Sequence, residues 1–102
     1  MEQDTELSKH RRLAVLIVLK EMPEYMANDS VLTDKLYMAG LPTARSIVVA
    51  TMEWLRDHDL ITLQAYADLK VAQLTDRGLD VAYGRIVVEG VKKPRARRPG
   101  QG

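Results

Sequence analysis

The residues able to do chemistry are few, and most are cations. Lys92, Lys93, Arg95, Arg97 and Arg98 crowd the end of the chain with no acid among them. Such a run fits an arm that lies along phosphates or enters a minor groove. It also fits a solubilising end or a tail for RNA or protein. Lys70, next but one to Asp68, is either a phosphate contact or a solvated tip residue. Arg11 and Arg12 are either phosphate contacts or part of a solvated face with Glu2 and Glu6 as helical neighbours. Catalytic and metal chemistry lacks parts. There is no cysteine, and the two histidines, His10 and His58, are too few for most zinc sites. No Gly-rich phosphate loop, Gly-x-Ser-x-Gly or zinc-helix motif occurs. The acids are scattered over amphipathic stretches. The expectation is a non-enzyme with no cofactor and no metal site.

The chain has 102 residues, 46% of them hydrophobic and 28% charged, which suits one modest globular domain. Its net charge of +1 hides an asymmetry. All fourteen acids and ten of the fifteen Lys and Arg residues lie in the first ninety positions, so that part carries −4. The longest apolar run, Leu13 to Leu19, has seven residues, against roughly 20 for a spanning helix. Glu2, Asp4 and Glu6 before the run argue against a signal peptide. A cytoplasmic protein is expected.

The elements that must position these groups follow from spacing. Leu7, Leu13, Leu16, Ile17 and Lys20 predict a helix over about Thr5 to Met22, stopped by Pro23. The Leu13–Leu19 block is apolar right round, so it lies inside the domain or meets another subunit. A buried strand competes for these β-branched residues, but the periodic stretch is too long for one. The cap cluster Asn28-Asp29-Ser30 opens a second helix, about Val31 to Ala39, ended by Gly40. Thr43 is the expected cap of a third, about Ala44 to His58, with Val48, Met52 and Leu55 inward. From Leu60 the period changes to that of a strand over 60–66, a turn at 67–69 and a return strand over 70–74. Thr75 caps a fourth helix carrying Leu79, Ala82, Ile86 and Val87 and ending near Gly90. Residues 92–102 hold no large apolar group and are expected to be a disordered basic tail after a domain spanning 1–91.

The fold class expected is mainly α with a two-stranded β-hairpin. Two helices on a short Gly-containing turn, followed at once by a hairpin, resemble the winged helix-turn-helix family of bacterial and phage regulators. The residues that carry the resemblance are Val48, Met52, Leu55 and Leu60-Ile61, then Leu74-Thr75-Asp76-Arg77-Gly78. The pattern looks like small ArsR-like regulators and, more narrowly, resembles winged-helix proteins of Mu-like transposable phages and prophages. The metal sensing of ArsR proteins does not carry over, since the cysteines are missing. Asp59 stands before Leu60-Ile61 where Gly or Asn is usual.

The resemblance implies a DNA-binding regulator of transcription. The third helix, about 43–58, would meet base edges through Thr43, Arg45, Ser46 and Val49, with Arg45 able to clasp a guanine. The wing, about 61–74, would bring Lys70 to the backbone. The resemblance also implies a homodimer through the first and last helices, using Leu13, Leu16, Ile17, Leu79, Ile86 and Val87. Trp54 covers the core edge or sits at that subunit contact. The rival expectation is a protein-interaction module without DNA binding, its third helix docking a partner through Ile47 and Val49.

Overall fold

In the computed structural model, which describes residues 5–95, the centre of the domain is one helix. This helix, α1 (Glu6–Glu21), is capped by the Thr5 hydroxyl, which accepts from the Ser8 N–H at 3.0 Å. It packs on each of the other helices and on the sheet. That placement explains the Leu13–Leu19 block: Val15, Leu16 and Leu19 are fully enclosed and Leu13 nearly so, whereas Ile17 stays 36% exposed. Each enclosed leucine contributes about 1.5–3 kcal/mol of burial.

A tight turn over Pro23–Tyr25 leads into β1 (Met26–Asn28). Next come α2 (Asp29–Met38), α3 (Arg45–Asp57), β2 (Ile61–Tyr66), β3 (Leu69–Leu74) and α4 (Asp76–Ala82). The hairpin is therefore only part of the sheet. Three antiparallel strands run in the order β1-β3-β2. The extra strand pairs Met26 with Gln73, Ala27 with Ala72 and Asn28 with Val71. Three residues are too few for alternation to show in a sequence, and here they overlap the cap cluster. The architecture is a compact α+β domain of four helices and one sheet.

The helix pair α2–α3 forms much as its spacing dictates. Asn28 Oδ1 accepts from the Val31 N–H at 2.8 Å, and Leu32 and Leu36 face inward with Val48, Met52 and Leu55. Thr43 departs from expectation. Its hydroxyl donates to the Leu41 carbonyl at 2.9 Å and is buried, so Ala44 occupies the cap position of α3 with no side-chain cap bond. At the other end Asp59 takes φ 62°, and Leu60 N–H closes back on the Leu55 carbonyl at 2.9 Å. Aspartate tolerates that left-handed position better than most residues.

The β2–β3 hairpin closes through a two-residue connection, since Tyr66 pairs with Leu69. Ala67 sits at its first position with φ 56°, where a Cβ costs about 1–2 kcal/mol. Ala67→Gly should raise stability by about 1 kcal/mol and the melting temperature by roughly 5 °C. Thermal unfolding followed by circular dichroism measures it.

The fourth helix is far shorter than its apolar pattern suggests. Gly84 adopts φ 79°, and Arg85 N–H bonds the Asp80 carbonyl at 2.9 Å, so the helix stops after Ala82. Ile86, Val87, Val88 and Val91 lie instead on an irregular segment that returns across the domain. Val88 and Val91 are buried there and Val87 is 68% exposed. The described path continues beyond Val91, with Lys92 N–H donating to the Lys9 carbonyl at 3.2 Å.

Candidate nucleic-acid interface

The start of α3 and the β2–β3 hairpin meet at one carboxylate. Asp29, at the first position of α2, is 3% exposed. Its Oδ2 accepts from Arg45 Nε at 2.8 Å and its Oδ1 from the Lys70 backbone N–H at 2.9 Å. Strand β1 makes this possible: the Asn28–Val71 pairing lays the next residue, Asp29, beside Lys70. An acid at a helix start is also favoured by the helix dipole.

Burial pushes the Asp29 carboxyl up. The hydrogen bonds from Arg45, from Lys70 and from its own backbone N–H, with the charge of Arg45, pull it down further, so it lies below the usual carboxylate range. Arg45 is held above its usual value by the Asp29 hydrogen bond first, and by the charges of Asp29 and Asp68. Because the folded value of Asp29 is depressed, its contribution is full above the unfolded carboxylate value of about 4 and is lost as pH falls through the folded one. Acidification should therefore lower the urea midpoint of the native chain more steeply than that of Asp29→Asn, and denaturation across an acid pH series measures the difference.

Around this junction the sequence-predicted site residues separate into groups. Arg45, with its side chain 46% exposed, and Ser46 line the open start of α3. Val49 is half-buried, one turn on, and Thr43 is turned inward. The first N–H groups of α3 carry no side-chain cap and no acid in the first turn. By contrast Thr5, Asn28 and Thr75 cap the other three helices. The Lys70 side chain and Tyr66 are exposed at the wing. Lys92, Lys93 and Arg95 are exposed along a different flank, beside α1 and the end of α4. Arg97 and Arg98 lie outside the described residues.

Arg12 is neither a phosphate contact nor part of a solvated face. It is 1% exposed; Nη1 donates to the Gly90 carbonyl at 2.9 Å, and the guanidinium lies 4.0 Å from the centre of the Trp54 ring. His58 stacks on the same indole at 3.6 Å and 14°, its Nδ1 2.8 Å from the Trp54 carbonyl at the end of α3. Trp54 thus covers the core edge beneath the returning segment. The residues expected at a dimer contact divide likewise. Leu16 is wholly enclosed and Leu13 nearly so, which gives both to the protomer's own core; Leu79 and Ile86 are half-buried; Ile17 and Val87 are exposed.

Two of these residues were out of reach of linear reading for different reasons. The partners of Asp29 are sixteen and forty-one positions away. Arg12 did carry a signal: it precedes Leu16 by four and Leu19 by seven, the phase of the buried stripe of α1. Its charge argued for the surface and its phase for the interior.

Among the described residues no group of His, Asp and Glu is arranged to hold a metal ion. Nor is any described helix long and apolar enough to cross a membrane. What remains is a small α+β domain whose helix pair is braced at its open end by the β2–β3 hairpin of a three-stranded sheet. Over 91 residues it is 40% identical to gp26, an uncharacterised protein of Escherichia phage Mu, covering 89% of this chain and 94% of gp26; the chain belongs to the family of gp26. It is also 35% identical over 74 residues to an uncharacterised protein of Haemophilus influenzae, with 72% of each chain covered. No protein-family model matches. The crystal structure of AF1382 from Archaeoglobus fulgidus shares the fold, with a TM-score of 0.58 at 14% identity over 72% of this chain and 77% of that one.

Proposed function

We propose that this protein is a winged-helix DNA-binding regulator, acting in the cytoplasm of a bacterial host. In this reading α3 enters the major groove and β2–β3 is the wing on the neighbouring backbone. The observation that carries it is the Asp29 junction, which ties the base-reading cation Arg45 to the wing tip beside an uncapped helix start. Open N–H groups at such a start donate readily to a phosphate. With Nε on Asp29, the Arg45 guanidinium is held in one orientation, as a bidentate contact to guanine requires. Ser46 and Lys70 add a hydroxyl and a cation on either side. The family's phage member is consistent with regulation of a phage genome. One protomer suffices for one site; a homodimer through the exposed Val87 would add a second half-site about one DNA turn away.

The rival reading, a protein-docking module, is favoured by exposed Ile47 on α3 and by the acids Glu53 and Asp57 further along it. Fluorescence anisotropy with labelled duplexes at about 50 and 200 mM salt separates the two, because several phosphate contacts change affinity by orders of magnitude over that range. Ser46→Asp places an acid on the reading edge at an exposed position and should abolish binding. Arg45→Ala should cost about tenfold or more, although it also leaves Asp29 without its ion-pair partner. Changing Lys92, Lys93 and Arg95 to serine should flatten the salt slope by about 0.9 for each cation that meets a phosphate. Absence of binding at the lower salt, with mixed-sequence and phage promoter duplexes, would overturn the DNA reading.

A further inference from the structure

A second surface has a different character. Between α1 and residues 92–95 runs an open cleft of about 1110 Å³, floored by Leu13, Ile17 and Ala82. Tyr83 stands at its end, with Lys20 Nζ 4.9 Å and the Arg85 guanidinium 4.4 Å from the ring centre. Lys20 from α1 and Lys92, Lys93 and Arg95 from the facing segment supply its charge, and none of its described lining residues is acidic.

We propose that this cleft docks an acidic amphipathic segment of a partner protein. Its apolar face would lie on the exposed Ile17 and Tyr83, with the rims of Leu13 and Ala82 beneath, and its carboxylates would meet Lys20, Lys92, Lys93 and Arg95. The charge pattern selects this occupant. A phosphate backbone would satisfy the cations and leave the apolar floor and Tyr83 bare. A second copy set across the cleft by a two-fold axis would oppose two sets of like charges. The cleft is open along one side, which suits a helix laid into a groove. The inference does not rest on the DNA reading, whose carrying residues, Asp29, Arg45 and Ser46, take no part in it; Lys92, Lys93 and Arg95, which that reading offers to phosphates, are common to both.

The test uses the full chain and a fluorescein-labelled helical peptide with leucine along one face and glutamate flanking it. Controls are the same peptide with serine for leucine, and a labelled duplex. Expected is binding of the leucine–glutamate peptide, with amide NMR shifts gathered on Ile17, Tyr83, Lys92 and Lys93. Ile17→Asp and Lys20→Glu should each weaken it about tenfold by turning an apolar or attractive contact into a repulsive one. Ile17 is exposed and Lys20 is half-buried with its ammonium 3.2 Å from Glu21, and circular dichroism verifies that the variants fold. Three results would overturn the proposal. The serine peptide binds equally well; the duplex binds as tightly and shifts the Ile17 and Tyr83 amides as well as those of Lys92 and Lys93, which assigns the cleft to nucleic acid; or sedimentation shows a dimer in which Ile17 is protected from exchange, which assigns it to a second copy.

Discussion

Gly78→Ala is expected to remove about 3 kcal/mol or more of stability, read as a large fall in the urea midpoint. An added Cβ would overlap the Leu60 carbonyl oxygen and stand 2.9 Å from both the Leu60 carbonyl carbon and Leu74 Cδ2. Two of those three atoms are backbone and have no rotamer to escape into. They also belong to a closed arrangement. Leu60 N–H is held by the α3 terminus, its carbonyl accepts the Thr75 N–H at 3.2 Å, and Thr75 caps α4 by accepting from the Gly78 N–H at 3.0 Å. Making room means separating the end of α3, the end of β3 and the start of α4 together. At an ordinary helix position the same change would stabilise by about 0.5–1 kcal/mol, so even the sign is diagnostic. Against a total of about 5–15 kcal/mol for such a domain, the loss should also lower the melting temperature by well over 10 °C. A stabilised variant would show that the close approach of α4 to Leu60 is absent.

The same contact explains why part of this fold was legible. In Leu74-Thr75-Asp76-Arg77-Gly78 the leucine is core, the threonine is cap and the glycine is the point of close approach. Local signals of that kind, cap, period and required glycine, located α1, α2, α3 and the wing with small errors at their ends. The failures are non-local. Strand β1 exists because β3 offers it a partner, not because Met26–Asn28 has strand character of its own. Helix α4 stops after Ala82, with Gly84 turned into the left-handed region, even though Ile86 and Val87 continue its apolar spacing, because the chain buries Val88 and Val91 by turning back. At the candidate site the sequence showed Arg45 and Lys70 as separate cations. It could not show the carboxylate that holds the helix and the wing together, since that juxtaposition is made by the sheet register.

Arg12 holds the turning-back segment at Gly90, and Arg12→Ala is expected to cost about 3–4 kcal/mol. Three losses combine. The Gly90 carbonyl loses the donor at 2.9 Å, which for a buried acceptor costs about 1–3 kcal/mol. The Trp54 ring loses the guanidinium at 4.0 Å, a contact worth up to about 2 kcal/mol when desolvated. A large side chain at 1% exposure leaves a void. The segment has no easy alternative seat, because Gly90 has φ 96° and a Cβ there would stand 2.6 Å from Trp54 Cζ2. Arg12→Lys should recover little, since an ammonium lacks the flat face that stacks on indole. Arg12→Met should recover more of the packing and none of the hydrogen bond. Trp54 is the chain's one tryptophan, so its fluorescence reads this place alone. In Arg12→Ala its emission should shift to the red as the segment lifts and water reaches the ring, with a melting temperature lower by about 12 °C or more. Unchanged emission with unchanged stability would mean that Gly90 is held by backbone packing and that Arg12 is a passenger in the core.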